Sequence, residues 1–187
     1  LLKRSFVSVI GGCWFARESD TAALNPEFQI QVGLVQGSRG APQVQRVNNS
    51  TYFCFVGKKA DLGSPIQWHR ESNGTELSHL WLIHLHSMEY LKTGDDELFI
   101  WLIRGWITAN PRYHQRYWHA SWNSFALSIR VFIWITEYLR RSNAQKEAGK
   151  AMIPSLFQQV EFLNRNLETD LRGNHLIKNI RALLWAG

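Results

Sequence analysis

The chain has 187 residues, of which 45% are apolar, and it carries a formal net charge of +6 at pH 7. The apolar content suffices for a core and excludes wholesale disorder. The positive charge is spread along the chain with no run of five basic residues, which disfavours a concentrated nucleic-acid patch. A basic balance of this kind favours an anionic partner such as anionic lipid or acidic polysaccharide, or is simply a solvated basic surface.

The first fifteen residues leave the cellular compartment open. A basic pair precedes an apolar run, as in a signal peptide, but Trp14 and Phe15 extend that run and the sequence does not begin with Met. Cys13 and Cys54 allow at most one disulfide, so a disulfide scaffold is excluded. The longest later apolar runs, at 98–103 and 131–135, are too short to cross a bilayer. We therefore expect no transmembrane segment.

The composition changes near residue 76, and we divide the chain there. Residues 1–76 form a lead-in rich in Gly, Ser, Asn, Gln and Pro after its first apolar stretch, with short extended pieces at 28–35 and 51–56. The first of these pieces alternates apolar and polar residues, which is typical of a strand. No helical period holds in this part, so the prediction is a loop-rich segment that packs against something larger.

Residues 77–187 read as successive helices. The prediction gives an apolar stripe from 77 to 94, a second helix opened by Asp95 and stopped at Asn110-Pro111, a third at 124–141, a fourth at 154–171, and a fifth that Asn174 caps and that runs to the end. Short connections imply antiparallel neighbours. The fold class is therefore mainly α, as helical hairpins of a toroid or solenoid. Because the last apolar helix runs to residue 187, we expect a piece of a larger unit.

Tryptophan is frequent, with nine in the chain, and six of them lie between residues 79 and 138. Such a cluster suits a thick core or a carbohydrate-stacking cleft, and the core explains most of them.

Several kinds of catalytic site lack support. The sequence contains no His-Glu-x-x-His or Cys-x-x-Cys, and His84 and His86 lie two apart, on different faces of a helix. It also contains no Gly-x-Ser-x-Gly elbow and no glycine-rich phosphate loop. We expect neither a metal nor another cofactor in this part of the protein.

Two positions remain as chemical candidates. Gly173-Asn174-His175 is a helix end followed by a helix start, and it also sets an amide donor beside an imidazole where a helix dipole favours an anion. Arg130 lies in an otherwise apolar stretch, so it is either paired inside the structure or directed into a cavity. An ion pair is the favoured explanation for Arg130, and a pair of helix caps is the plain explanation for the Gly-Asn-His sequence.

These segments together resemble a known family. Leu80-Trp-Leu-Ile-His-Leu-His-Ser-Met-Glu-Tyr-Leu91, Ser128-Ile-Arg-Val-Phe-Ile-Trp134 and the stretch 171–187 are similar to the N-terminal domain of heparinase II/III-like polysaccharide lyases. The segments 53–57 and 66–68 fit the same order and spacing. The resemblance covers residues 50–187, and its most specific part is Gly-Asn-His-Leu with the later Asn, Ala-Leu and Ala-Gly. Residues 1–49 add little to it.

The resemblance implies a fold and a reaction. The fold would be an incomplete (α/α) toroid, continued by further helices and a β-sandwich domain, in a periplasmic or secreted protein. The reaction would be β-elimination at a uronic acid in heparan sulfate, alginate or another acidic polysaccharide. Asn174 would neutralise the C5 carboxylate, and His175 would support it or take the proton. Arg130 and His86 are further candidates for contacting the substrate.

The chain also departs from the family. The family's catalytic Tyr follows the Gly-Asn-His motif by several tens of residues, whereas the sequence continues for twelve residues after His175. Ser87 replaces an aromatic residue. We therefore expect this stretch alone to be inactive. One alternative is a non-catalytic module that binds or processes acidic polysaccharide, and another is a helical scaffold or nucleic-acid-binding module.

Overall fold

The computed structural model describes residues 43–69, 77–141, 144–171 and 173–187. This part of the chain is mainly helical, with a small three-stranded sheet. Residues 43–186 form one compact unit, which crosses the change in composition at residue 76. The extended piece expected at 28–35 and the thiol of Cys13 lie outside the described residues.

The sheet is an antiparallel meander of β1 (Val44–Val47), β2 (Ser50–Phe55) and β3 (Lys58–Asp61). Its second turn is the pair Val56-Gly57, and both residues have positive φ, of 51° and 73°. Two positive φ angles give the turn that matches the twist of a tight hairpin, and glycine adopts such a φ without strain. The extended piece predicted at 51–56 is thus confirmed as β2.

One face of the sheet packs on the first helix, α1 (His79–Ser87). The side chain of Ser78 caps α1 by accepting a hydrogen bond from the backbone N–H of Trp81 at 3.2 Å. Phe55 meets the buried Trp81 ring edge-on at 5.1 Å, and the indole N–H of Trp81 donates to the carbonyl of Lys58 in β3. The sheet and α1 therefore share one aromatic core.

The helix predicted from the stripe at 77–94 is shorter than expected. It ends at Ser87 because Met88 is in the left-handed region with a φ of 58°, and a single 3₁₀ turn (Glu89–Lys92) follows. The hydroxyl of Tyr90 donates back to the carbonyl of Leu85, and Tyr90 and Leu91 are both buried. A helix and a 3₁₀ turn can both bury residues at this spacing, so the apolar stripe alone does not reveal the break.

The next two helices begin and end where the sequence predicts. Helix α2 (Asp96–Ala109) is capped by the carboxylate of Asp95, which accepts from the N–H of Leu98 at 2.8 Å. It ends before Asn110-Pro111. Helix α3 (Ser124–Arg140) is capped by Asn123, whose side chain accepts from two backbone N–H groups at 3.0 and 3.4 Å.

The fourth helix differs most from its prediction. Helix α4 (Ala144–Arg165) begins ten residues before Pro154 and ends before Leu171. Pro154 lies inside the helix, where its ring is exposed. Helix α5 (Gly173–Ala186) follows, so Asn174 lies in its first turn rather than at the cap, directly after Gly173 with a φ of 55°. The helix start at this motif is confirmed, and its exact first residue is not.

The helices form two layers. Helices α1, α3 and α5 lie side by side, and α2 packs on α4 in a second layer. Helices α1 and α3 run in the same direction, because the carbonyl of His86 near the end of α1 meets Arg130, and the carbonyl of Leu91 beyond it meets Arg141. Helices α3 and α5 also run in parallel, as two ring contacts show: Phe125 with His175 at 4.4 Å and Phe132 with Trp185 at 5.2 Å.

Helices α2 and α4, in the second layer, run in the opposite direction to α1, α3 and α5. The hydroxyl of Ser124, at the start of α3, donates to the carbonyl of Asn166 just beyond the end of α4. The indole N–H of Trp122, just before α3, donates to the carbonyl of Asn110 at the end of α2. Helices α1, α3 and α5 therefore all begin at one end of their layer, which we call the amino-terminal end. The partial positive charges of three helix starts face the same side.

At the opposite end of the layer, Arg141 joins the end of α3 to the connection between α1 and α2. Its guanidinium donates to the carboxylates of Asp96 at 2.9 Å and Glu137 at 3.2 Å, and to the carbonyl oxygens of Leu91 at 2.9 Å and Gly94 at 2.6 Å. Arg141 and Glu137 are both buried. This Arg141 clasp ties the end of α3 to the turn that precedes α2.

Most of the tryptophans in the described part are core residues, as predicted. Trp106 and Trp134 are fully buried and meet edge-to-face at 5.5 Å. Trp118 differs, because 61% of its surface is exposed. Within the described ranges, no helix combines the length and the apolar character that a membrane span requires.

Candidate functional site

Arg130 is fully buried at the centre of the helical layers. Its Nε donates to the side-chain oxygen of Gln159 at 2.7 Å, and its Nη1 donates to the carbonyl oxygens of His86 at 2.7 Å and Ser121 at 2.9 Å. The guanidinium also lies 3.9 Å from the ring centre of Trp106. Burial lowers the pKa of Arg130 to about 9, so it stays charged at neutral pH.

The sequence analysis favoured an ion pair for Arg130, but the structure shows partners of another kind. Among the described residues its partners are neutral carbonyl and amide oxygens and an indole face, and no carboxylate pairs with it. Its second amino group, Nη2, is buried without a hydrogen-bond partner in the same set of residues. Arg130 is therefore a buried positive charge that nearby dipoles solvate.

His86 is also buried and lies directly beside this charge. The indole N–H of Trp106 donates to Nδ1 of His86 at 3.2 Å, which requires Nδ1 to be unprotonated. Burial, followed by repulsion from Arg130, holds the pKa of His86 well below its usual value. His86 is therefore a neutral imidazole at neutral pH, with its remaining proton on Nε2.

A cleft of about 850 Å³ opens at the amino-terminal end of α1 and α3. We call it the histidine cleft, because five imidazoles and one guanidinium line it: His69, His79, His86, His114, His119 and Arg116. They come from the segment after the sheet, from α1, and from the connection between α2 and α3. No Asp or Glu lines the cleft in the described part of the chain. The exposed ring of Trp118 contributes an aromatic wall.

Four of the imidazoles form two pairs. His69 lies 4.4 Å from His114 between ring centres, and His79 lies 4.7 Å from His119. The pKa of His114 is lowered by burial and then by repulsion from His69, and the pKa of His79 is lowered by burial and then by repulsion from His119. Each pair therefore resists protonation of both rings while no anion is present.

The Gly-Asn-His motif lies at the same end, on α5. Asn174 is exposed in the first turn, where the helix dipole is positive. Nδ1 of His175 lies 3.1 Å from a carboxylate oxygen of Glu168, and its ring packs on Phe125 at 4.4 Å. Because a carboxylate accepts, Nδ1 carries a proton and donates it, so Nε2 is the ring nitrogen that can act as a base.

Glu168 is itself held in place by Asn179. The side-chain amide of Asn179 donates to the second carboxylate oxygen of Glu168 at 3.0 Å, and its oxygen accepts from the backbone N–H of Glu168 at 3.0 Å. Asn179 is fully buried. The sequence assigned no role to Glu168, and it gave Asn179 only as part of the motif. The only available signal was the position of Asn179 within that motif.

The four predicted site residues therefore form two groups. Arg130 and His86 contact one another beneath the histidine cleft, and both are too buried to face solvent freely. Asn174 and His175 lie together at the start of α5. Across the described residues, no three His, Cys, Asp or Glu side chains converge as they would around a metal ion. Comparison with known proteins finds no matching protein-family model, curated protein or solved structure.

Proposed function

We propose that this chain is the carboxylate-binding part of a polysaccharide lyase of the heparinase II/III-like type, which cleaves uronate-containing polysaccharide by β-elimination. The observation that carries the proposal is the pair of His175 and Glu168 beside the exposed amide of Asn174. The pair supplies an oriented base, and Asn174 supplies a donor at the positive end of α5.

In this reaction a base removes the C5 proton of a uronate ring, the electron pair forms the C4–C5 double bond, and the C4–oxygen bond breaks. The leaving oxygen then takes up a proton. The amide of Asn174 would donate to the C5 carboxylate and stabilise the charge that develops there. Nε2 of His175 would accept the proton or position the group that does, and Glu168 would stabilise the resulting imidazolium.

We also infer that the helices belong to an incomplete (α/α) toroid. The support is the alternation of layers, with parallel α1, α3 and α5 on one side and the reversed α2 and α4 on the other. In such an arrangement each further hairpin would add one helix to each layer. If the resemblance holds, further helices and a β-sandwich domain would complete the toroid.

A second candidate function is a non-catalytic module that binds acidic polysaccharide. The histidine cleft favours it, because a wall of imidazoles, Arg116 and the exposed Trp118 can hold an anionic sugar without any chemistry. This alternative requires neither a base nor the family's Tyr. It predicts binding that persists when Asn174 is replaced.

The test is an elimination assay on the full-length protein across a panel of uronate polymers, following the absorbance of the unsaturated product. Asn174→Ala is expected to lower kcat by about 10²–10³-fold, as the loss of one donor to a developing oxyanion does. Asn164→Ala is the matched control, because Asn164 is an exposed amide on α4. If a correctly folded full-length protein cleaves none of the polymers, the lyase proposal is abandoned and the binding module remains.

A further inference from the structure

We propose that the histidine cleft is a second anion-binding subsite, which holds a carboxylate or sulfate group on a sugar ring and takes up protons as it binds. Binding there would strengthen as the pH falls. The inference rests on the proposed function only in the choice of an acidic sugar as the ligand. It concerns residues outside the Asn174 and His175 group.

The charge around the cleft is the first reason. The buried Arg130 lies beneath the cleft, hydrogen-bonded to the carbonyl oxygens of His86 and Ser121. Both of those residues line the cleft. Since no described carboxylate pairs with Arg130, its charge is stabilised by the dipoles of the described carbonyl and amide groups that it contacts. An anion in the cleft would be attracted by a field that the described residues do not neutralise.

The two imidazole pairs are the second reason. With ring centres at 4.4 and 4.7 Å, protonation of both members of a pair is opposed by their mutual repulsion. An anion placed against a pair offsets that repulsion, so it favours the protonated form. By linkage, a ligand that favours protonation must itself bind more tightly when protons are abundant.

His114 has partners for both of its protonation states. Its Nδ1 lies 2.8 Å from the carbonyl of Gln115 and must donate to it, while its Nε2 lies 2.6 Å from the hydroxyl of Ser121. Neutral His114 accepts from that hydroxyl at Nε2. When Nε2 is protonated it donates to Ser121 instead, and the hydroxyl turns to the carbonyl of Tyr117 at 3.3 Å. Protonation therefore leaves no hydrogen bond unmade.

The remaining groups around the cleft do not reverse this effect. From the segment after the sheet, Nε2 of His69 lies 3.0 Å from the carbonyl of Ala109, so it donates there. From α1, His79 lies at the rim, and neutral His86 lies at the floor. From α4, the group that reaches Arg130 is the uncharged Gln159. The facing charges that the structure describes are thus all cationic or able to become so.

The aromatic wall is the reason for proposing a sugar, rather than a free inorganic ion, as the ligand. Trp118 presents a largely exposed indole to the cleft, and exposed indole faces are the usual surfaces for stacking a sugar ring. A sugar ring with one acidic group would place its face on Trp118 and its charge toward the imidazoles. A free inorganic anion would use only the second of these contacts.

The experiment is isothermal titration of the full-length protein with an unsulfated uronate hexasaccharide, in the Asn174→Ala background so that the ligand is not consumed. Titrations at pH 7.5 and 5.5, each in two buffers of different ionisation enthalpy, give the affinity and the number of protons taken up. We expect binding at least tenfold tighter at pH 5.5, with net proton uptake, since each proton taken up contributes up to about tenfold per pH unit.

Two variants assign the effect to the cleft. His114→Gln with His119→Gln should reduce the change in affinity with pH to less than about threefold. His119→Gln alone serves as a second test, because His119 is exposed and its replacement does not threaten folding. The matched control is His84→Gln, which lies on α1 but stacks on Phe55 outside the cleft.

The outcomes separate this inference from the lyase proposal. Proton-linked binding that the cleft variants remove supports the subsite, even if no elimination occurs in the Asn174-containing protein. Binding that is independent of pH, or a dependence on pH that the cleft variants leave intact, overturns the subsite even if elimination is observed. Inorganic sulfate, titrated in parallel, should bind at least tenfold more weakly. Equal affinity for sulfate would overturn the assignment to a sugar.

Discussion

Replacement of Arg130 by Met removes a buried charge and three hydrogen bonds at once, and these two changes have opposite effects on stability. The three bonds, to Gln159, His86 and Ser121, have a charged donor and are worth about 1.5–3 kcal/mol each, or about 4.5–9 kcal/mol together. The lowering of the pKa of Arg130 from 12.5 to about 9 corresponds to about 5 kcal/mol of cost for the buried charge. The net expectation for Arg130→Met is a loss of about 2 kcal/mol.

Arg130→Lys distinguishes the two contributions. It keeps the charge and the cost of burying it, but a single ammonium cannot reproduce the planar fork that reaches three acceptors. We therefore expect Arg130→Lys to be at least as destabilising as Arg130→Met. The nominally conservative change would then lower the free energy of unfolding at least as much as the loss of the charge does.

Urea unfolding monitored by tryptophan fluorescence measures both values, because Trp106 lies against the guanidinium and is fully buried. The free energy of unfolding and its dependence on urea are compared at pH 7 with those of the unchanged protein. An Arg130→Lys variant as stable as the unchanged protein would refute the reasoning, since it would mean that the three acceptors do not require a guanidinium. A stabilised Arg130→Met variant would mean that burial of the charge outweighs its hydrogen bonds.

Two further predictions concern His86 and Glu168. Burial holds the pKa of His86 well below 6.5 in the folded state, so its stabilising effect is complete above pH 6.5 and is lost as the pH falls toward the folded value. The free energy of unfolding should therefore fall between pH 8 and 5.5, by about 1 kcal/mol from this group; His86→Gln should remove that part of the fall, and equal losses in both proteins would contradict it. Glu168→Gln should lower kcat for elimination by about tenfold with little change in KM, because the imidazolium formed at His175 during the reaction loses its anionic partner. Glu161→Gln is the control, since that carboxylate pairs with arginines instead, and an unchanged kcat in Glu168→Gln would rule out this role.

Helix boundaries could be predicted where the signal is local. Asp95 caps α2 with its own carboxylate, and Asn110-Pro111 ends it, so both ends are encoded within a few residues. Met88 carries no such signal, because an unbranched apolar residue rarely adopts a positive φ and does so here as part of the buried core. Pro154 misled the prediction for a similar reason, since an exposed proline can lie inside a helix that packing holds together.

The site was predictable only in part. Asn174 and His175 are adjacent in sequence, so their shared position follows from one helix start. The position of Glu168 depends on how the connection between α4 and α5 folds back, and Asn179 fixes it through two hydrogen bonds. The histidine cleft joins residues from 69 to 119, and no periodicity within one element could bring those imidazoles together.

The Arg141 clasp also makes the two ends of the helical layers differ in how tightly their connections are held. One guanidinium binds the connection between α1 and α2 and the end of α3, so the turns at that end are tied to each other and have little freedom to change. Residues 113–119 at the other end are mostly exposed and carry much of the cleft. If the cleft binds an acidic sugar as proposed, exchange of this one short connection would change the ligand preference, while the contacts of Arg141 would keep the rest of the scaffold unchanged.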